Sequence, residues 1–156
     1  MKEQEIWKRA TGVWEHTAGE INALAERVSP AEFARAAELI AHCTGKIITC
    51  GAGTSGAAAK KVAHTLSCVE RPALFLSPAD AVHGGLGVVQ ENDVVILFSK
   101  GGNTQEIVGV LPALETKKCR SIGVTENSDS LLYTRTTHPL RIFVSGEPDP
   151  FDMLAT

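Results

Sequence analysis

The sequence predicts an α/β fold, a three-layer sandwich in which helices cover both faces of a five-stranded parallel sheet. Two observations support this. Short runs rich in Val and Ile recur after residue 45, and they are continuously apolar, as in strands buried on both faces. Helix-like stretches separate them, as crossovers between parallel strands require. The predicted strands are 46–50, 73–77, 93–98, 120–125 and 139–144.

Two helices are predicted before the sheet. Apolar residues recur at steps of three and four through residues 1–27, which indicates an amphipathic helix. Trp7 and Trp14 widen its apolar stripe, so we expect the domain itself or a partner subunit to cover it. A second helix begins at Ser29-Pro30, where serine caps, proline suits the first helical position and Glu32 completes a capping box.

Helices over 55–69 and 103–118 are predicted between strands, with a kink at Pro112 in the second. Residues 78–82 and 128–132 are expected to be short helical turns. In an open α/β sheet a ligand lies beyond the carboxyl ends of the strands. The loops that follow the strands are therefore the place to search for a site.

Composition restricts the classes of function. The net charge is −3 with both signs mixed along the chain, which does not support binding of nucleic acid. No apolar run reaches the ~18 residues of a membrane span, and the polar start does not resemble a signal peptide. We therefore expect a cytoplasmic protein with no membrane partner. The four cysteines lack metal-ligand spacing, so we expect small buried thiols, no disulfide and no metal site.

Two glycine-rich turns each follow a predicted strand directly. The first, residues 51–56, reads GAGTSG, and the second, residues 99–104, reads SKGGNT. Exposed backbone N–H groups, hydroxyls and a helix N-terminus form a phosphate site in such turns. Two of these turns in one small domain predict a phosphorylated small molecule as the ligand.

The first turn also fits two other interpretations. Its glycines match the Gly-x-Gly-x-x-Gly pattern of dinucleotide-binding proteins, which is a weak signal by itself. Such proteins carry an acidic residue at the end of the next strand, where this chain has Ser77. A tight strand-to-helix turn without any ligand is the second alternative.

The second turn carries more chemistry. Ser99 and Thr104 supply hydroxyls, and Gly101 lets the backbone approach a ligand closely. Asn103 or Thr104 can cap the helix that follows. Glu106 stands in the first turn of that helix, where it either complements the helix dipole or transfers a proton beside a phosphate.

With these turns, the run SPADAVHGGLG at residues 77–87 resembles the sugar isomerase (SIS) domain family, over about residues 30–156. The chain is most similar to the arabinose 5-phosphate isomerase group, which interconverts ribulose 5-phosphate and arabinose 5-phosphate. The resemblance implies a flavodoxin-like fold assembled as a homodimer or homotetramer. It also implies aldose–ketose isomerisation through a cis-enediol, without a cofactor.

The resemblance implies particular site residues as well. Three side chains would carry the catalysis: His83, Glu106 and Glu147. The phosphate and sugar would be bound by Gly53, Thr54, Ser55, Ser99, Lys100, Gly101, Asn103 and Thr104.

Two positions depart from the family pattern. Thr54 stands where the isomerases usually have lysine, which removes a cation, and Gly101 replaces a serine, which removes a hydroxyl. We hypothesise that Lys100, in the same turn, restores the positive charge. The departures leave a second function open, a sugar-phosphate-sensing module without catalysis.

The chain is expected to form a single SIS domain over residues 1–156. A helical segment over 1–44 precedes an α/β core over 45–156. Family members continue past Thr156 with a hydroxyl-rich loop, a helix and a further histidine, so we expect the C-terminal helix of the family to be missing here.

Overall fold

Five strands form one all-parallel sheet in this structure, a computed structural model that describes residues 2–149. The strands are β1 (Ile47–Gly51), β2 (Ala73–Phe75), β3 (Val94–Phe98), β4 (Arg120–Thr125) and β5 (His138–Arg141). Their order across the sheet is β2-β1-β3-β4-β5. The last strand ends at Arg141 rather than at residue 144, although the Ile142 amide still donates to the Thr125 carbonyl at 3.0 Å.

Helices precede and separate the strands, and a short 3-10 turn over Gly85–Val88 follows the fourth helix. The helices are α1 (Glu3–Arg27), α2 (Pro30–Ala41), α3 (Gly53–Cys68), α4 (Pro78–Val82), α5 (Gln105–Val108), α6 (Leu111–Thr116) and α7 (Leu131–Arg135).

Both faces of the sheet are buried, which explains why its strands are continuously apolar. Ile48 and Val95 pack in one cluster with Leu111 of α6, and this cluster also includes residues of α4, α5 and α7. Their chain neighbours Ile47 and Val94 point the other way, into a second cluster with residues of α2 and α3. Alternate residues of one strand therefore enter opposite cores, and the three-layer α/β prediction is confirmed.

The predicted helix over residues 103–118 is two helices. Helix α5 ends at Val108 and α6 begins at Leu111, so the break lies before Pro112 rather than at it. The proline ring clashes with the carbonyl four residues earlier, which is that of Val108. The break leaves Pro112 in the first turn of α6, where its missing N–H is no loss.

Helix α2 begins as predicted, but its capping box does not close. The Ser29 hydroxyl accepts a hydrogen bond from the Glu32 amide at 3.3 Å. The Glu32 carboxylate accepts instead from the Tyr133 hydroxyl at 2.7 Å and from the Arg141 amide at 3.1 Å. It thereby joins α2 to α7 and β5, a tertiary role that the local pattern did not indicate.

The apolar stripe of α1 stays exposed within the described part of the chain. Trp7 and Trp14 stack edge to face, 5.6 Å apart, with 63% and 57% of their surfaces exposed. Polar contacts hold the helix to the segment after β5: the Ser145 amide donates to Glu20 at 2.8 Å, and His16 Nε2 lies 3.0 Å from the Gly146 carbonyl. The hydrogen bonds from Ser145 are the main reason that the pKa of Glu20 is lowered to about 2.

Three of the four cysteines are buried, and all four are free thiols. Burial raises the pKa of Cys50 to about 12 and that of Cys119 to about 11, so both resist ionisation. The expectation of buried thiols is wrong for Cys68, the last residue of α3, which is exposed beside His64. Between residues 2 and 149, no helix is both long and apolar enough to cross a membrane.

A buried aspartate fixes the start of β3. The side chain of Asp93 is only 2% exposed, and it accepts hydrogen bonds from the Lys46 amide at 2.9 Å, the Lys46 ammonium at 2.6 Å and the Gln90 amide at 2.8 Å. Burial by itself would raise the pKa of this carboxyl. The hydrogen bonds and the charge of Lys46 outweigh burial, and the pKa is lowered.

Replacing Asp93 with asparagine is expected to lower the free energy of unfolding by about 2 kcal/mol at neutral pH, because the ion pair with Lys46 is lost and an NH2 group replaces one of the two buried acceptor oxygens. A carboxyl with a lowered folded pKa stabilises above its unfolded pKa and loses that contribution as the pH falls through the folded value. The wild type should therefore lose more stability than the variant below about pH 4. Urea unfolding across the acid range measures this, and parallel pH curves would contradict it.

Candidate functional site

Both glycine turns lie at the topological switch point of the sheet. Strand β1 pairs with β2 on one side and with β3 on the other, so the chain leaves β1 and β3 in opposite directions. In such sheets a crevice opens at this point, beyond the carboxyl ends of the strands. The turns over residues 51–56 and 99–104 are the exits of these two strands.

A cavity of about 210 Å³, the turn cavity, lies between the two turns. It is lined by Ala52, Thr54, Ser55, Phe98, Ser99, Lys100, Gly101 and Thr104. A second cavity of about 260 Å³ adjoins it and shares Thr54, Ser55 and Ser99. This second cavity continues toward Thr125 and Glu126, at the end of β4. Most of the predicted phosphate-binding residues therefore surround one space.

The glycines of the first turn are explained by close backbone packing. A Cβ on Gly51 would lie 2.7 Å from the Ser55 carbonyl oxygen, and one on Gly56 would lie 2.6 Å from the Gly51 carbonyl oxygen. Gly53 begins α3 with a φ of +56°, a conformation that favours glycine. The N-terminus of this 16-residue helix, with its unpaired N–H groups, thus lies at the turn cavity.

The second turn is held by hydroxyls. Ser99 is 4% exposed; its Oγ lies 2.8 Å from Thr104 Oγ1 and accepts a hydrogen bond from the Gly102 amide at 3.1 Å. Thr104 occupies the N-cap position of α5, but its hydroxyl pairs with Ser99 rather than with the helix. Thr125 Oγ1 donates to the Lys100 carbonyl at 2.8 Å, which joins this turn to the end of β4.

Lys100 places a cation at the turn cavity, and carboxylates surround it. Its ammonium forms an ion pair with Glu147, whose side chain is 1% exposed, and lies 3.8 Å from Glu126. The segment after β5 brings Glu147 to this position. The positive charge predicted for the turn is therefore present, but two carboxylates compensate it.

A third cavity, the Glu106 cavity, lies on the other side of the first turn, between the exits of β1 and β2. Its volume is about 290 Å³. It is lined by Gly51, Ala52, Gly53, Gly56, Lys60, Phe75, Ser77, Pro78, Ala79 and Glu106. Ala52 borders both this cavity and the turn cavity. Glu106, Lys60 and Ser77 thus line a cavity that the first turn separates from the hydroxyls of the turn cavity.

Three predicted site residues line none of these three cavities: Glu147, which contacts Lys100, and also His83 and Asn103. His83 follows α4 at its C-cap position and is exposed. Asn103 Oδ1 accepts a hydrogen bond from the Leu131 amide at 2.9 Å, so this side chain holds the start of α7 instead of lining the turn cavity. The described chain brings Glu106 close to the turns, but not His83.

Sequence reasoning did not select Lys60 or Glu126 as site residues. Glu126 follows β4 at the same edge of the sheet as the turns, which was a usable signal. In the sequence Lys60 is an ordinary exposed lysine of a predicted helix, and only the fold brings it into the lining of one cavity with Phe75 and Glu106. No group of three or more His, Cys, Asp or Glu side chains in the described range is arranged to hold a metal ion.

A doubly wound sheet with two glycine-rich turns at its switch point defines an α/β protein with a candidate phosphate site at the carboxyl ends of its strands. The family model described as "SIS domain" matches residues 39–154, and the chain belongs to this family. Among curated relatives, arabinose 5-phosphate isomerase GutQ of Salmonella typhi is 37% identical over 137 residues, which cover 88% of this chain and 42% of the relative. The chain thus spans less than half the length of that relative.

Solved structures agree with this assignment. A candidate sugar-phosphate isomerase of Listeria monocytogenes superposes with a TM-score of 0.97 at 49% identity, over 100% of this chain and 82% of that one. An Escherichia coli CFT073 protein in complex with arabinose 5-phosphate gives a TM-score of 0.93 at 30% identity, with the same coverage of each chain. The fold of this chain is therefore that of the phosphosugar isomerases of the family.

Proposed function

We propose that this chain is a phosphosugar aldose–ketose isomerase domain acting on a sugar phosphate such as arabinose 5-phosphate or ribulose 5-phosphate. The observation that carries the proposal is the turn cavity, where two strand exits and a helix N-terminus converge at the switch point. The identity with GutQ and the likeness to a structure holding arabinose 5-phosphate support the same class of substrate.

The phosphate binds in the turn cavity. Ser55, Ser99 and Thr104 offer hydroxyls there, and the N-terminal amides of α3 offer further donors. Together with its neighbour of about 260 Å³, the cavity approaches the size range of small-molecule sites. Lys100 contributes a cation that Glu147 holds in place.

The isomerisation moves a proton between neighbouring carbons through a cis-enediol. A base removes the proton from the carbon beside the carbonyl and returns it to the other carbon. Glu106 is the base in this proposal, since its carboxylate lines a cavity that shares the first turn with the phosphate site. Glu147 acts from the other side, through its contact with Lys100.

His83 takes part, in our proposal, in the site of a second copy within a homodimer or homotetramer. Its exposed place at the end of α4 supports this, because it lies outside the cavities of its own chain. The exposed stripe of α1, with Trp7 and Trp14, supports oligomers as well. Light scattering of the purified chain tests the assembly, and a monomer at all concentrations would refute it.

Loss of label from the carbon beside the carbonyl of ribulose 5-phosphate tests the catalytic proposal. Exchange with solvent, together with formation of arabinose 5-phosphate, is the expected result. Calorimetry on the same sample measures binding separately. If pentose and hexose phosphates bind but no label is exchanged, the chain is a sugar-phosphate-sensing module and not an isomerase. If neither binding nor exchange is found, the proposal of a phosphosugar ligand is rejected.

Replacing Gly101 with serine is expected to tighten the binding of inorganic phosphate about 5-fold, since one added hydrogen bond is worth about 1 kcal/mol. Gly101 borders the turn cavity, and a Cβ built there meets nothing within 4 Å, so the backbone accepts a side chain. Calorimetry measures the Kd. The alanine variant adds the Cβ without the hydroxyl, and equal Kd values for serine and alanine would contradict the prediction.

A further inference from the structure

The Glu106 cavity contains a cation that the proposed phosphate site does not use. Lys60, in the second helical turn of α3, lines this cavity. The Lys60 ammonium lies 5.0 Å from the centre of the Phe75 ring. Within residues 2–149, no carboxylate lies within ion-pair distance of Lys60. Lys100, by contrast, pairs with two carboxylates. Of these two lysines, Lys60 is therefore the one whose charge is not paired with a carboxylate in the described residues.

The face of α3 between Lys60 and the Glu106 cavity carries no side chain at Gly56. Gly56 lies one helical turn before Lys60, on the same face, and lines the same cavity. A Cβ at Gly56 would meet the Gly51 carbonyl oxygen at 2.6 Å, so the close turn itself requires glycine there. The Phe75 ring supports the ammonium from the sheet side by a cation–π contact.

Isomerisation through an enediol needs more than a base. When the proton leaves carbon, negative charge develops on the carbonyl oxygen, and a fixed cation or N–H donor at that oxygen lowers the barrier. Glu106 and Lys60 line one cavity, which gives a base and a charge stabiliser on the same side of the first turn. Thr54, in the turn itself, offers no charge.

We propose that Lys60 binds the carbonyl end of the sugar phosphate in the Glu106 cavity and stabilises the enediolate oxygen. The inference rests on the proposed isomerase function. The phosphate occupies the turn cavity, and the sugar chain crosses the first turn at Ala52, which borders both cavities. Lys60 thus supplies the positive charge that the first turn itself lacks.

The step balances without a cofactor. The C–H proton passes to Glu106, its electron pair forms the carbon–carbon double bond, and the carbonyl pair moves onto the oxygen that Lys60 contacts. The hydroxyl proton of the neighbouring carbon then passes to that oxygen. The oxygen that gave up this hydroxyl proton becomes the new carbonyl oxygen, and Glu106 returns its proton to the former carbonyl carbon.

Lys60→Ala and Lys61→Ala form a matched pair for the test. Both lysines are exposed on α3, but Lys61 is not part of the lining of the Glu106 cavity. We expect Lys60→Ala to lower kcat about 100-fold, as the loss of one transition-state donor does. The Kd of inorganic phosphate should stay at its wild-type value. Lys61→Ala should retain wild-type kcat, and Lys60→Arg should recover part of the loss.

The outcomes separate this inference from the proposed function. If the wild type isomerises and Lys60→Ala does so equally fast, the role of Lys60 is refuted while the isomerase function stands. An equal loss in both alanine variants, or a weaker phosphate Kd in Lys60→Ala, would also overturn it. A wild type that binds phosphate but does not exchange label refutes the isomerase function and, with it, the role of Lys60. Urea midpoints establish that each variant is folded.

Discussion

Glu106→Gln is expected to slow label exchange at ribulose 5-phosphate by at least about 100-fold, because glutamine keeps the shape of the side chain but cannot accept the proton. Glu106 is exposed in α5, so the substitution leaves the core unchanged. The Kd of inorganic phosphate should not change, since the proposed phosphate site, the turn cavity, lies on the other side of the first turn. Exchange rates and calorimetry measure the two effects separately.

Glu91→Gln is the matched control for this experiment. Glu91 is an exposed carboxylate before β3, at the opposite edge of the sheet, and its loss should leave exchange unaffected. The alternative role of Glu106 is to complement the dipole of α5, which predicts a loss of a few tenths of a kcal/mol in stability and no loss of rate. Wild-type exchange in Glu106→Gln would refute the role of Glu106 as the base, and a small loss of stability in the same variant would support the structural role.

The sheet was predictable because its strands are buried on both faces. Ile47 and Ile48 enter opposite cores, and no polar residue needs to alternate with them. The division of the predicted 103–118 helix into α5 and α6 was harder to predict from the sequence. The proline indicates that the helix breaks within about one turn of it but not at which residue. In the structure α6 begins at Leu111, which is buried in the same core cluster as Ile48 and Val95.

The positions of the two turns of the candidate site were predictable, because they depend on local backbone. Strand exits and glycines locate both turns, since parallel strands present their carboxyl ends at one edge. Contacts between distant segments were not predictable. Lys100 meets Glu147 because the chain after β5 folds back along α1, and Lys60 shares a cavity with Glu106 because α3 and α5 flank it. Such contacts exist only once the helices are packed, and no local pattern encodes them.

The second turn gives the largest expected effect on stability. Replacing Gly102 with alanine is expected to lower the free energy of unfolding by about 3 kcal/mol or more, through backbone strain and overpacking. Gly102 has a φ of +71°, and an added Cβ would lie 2.1 Å from Ser130 Oγ and 2.7 Å from Thr125 Oγ1. Ser130 is itself held, because its hydroxyl donates to the Asn127 carbonyl at 2.7 Å and caps α7.

Gly101→Ala is the control for Gly102→Ala, because it replaces a neighbouring glycine where the added methyl group meets no other atom. Gly101→Ala adds the same methyl group in open space and should change stability by no more than about 0.5 kcal/mol. Urea unfolding of both variants gives the comparison, and calorimetry with inorganic phosphate follows the site. Because the Gly102 amide donates to Ser99, the hydroxyl pair of Ser99 and Thr104 should be displaced with it, and phosphate affinity should fall in Gly102→Ala. Equal stability of the two variants would mean that Ser130 moves aside freely, and that the turn does not depend on its contact with α7.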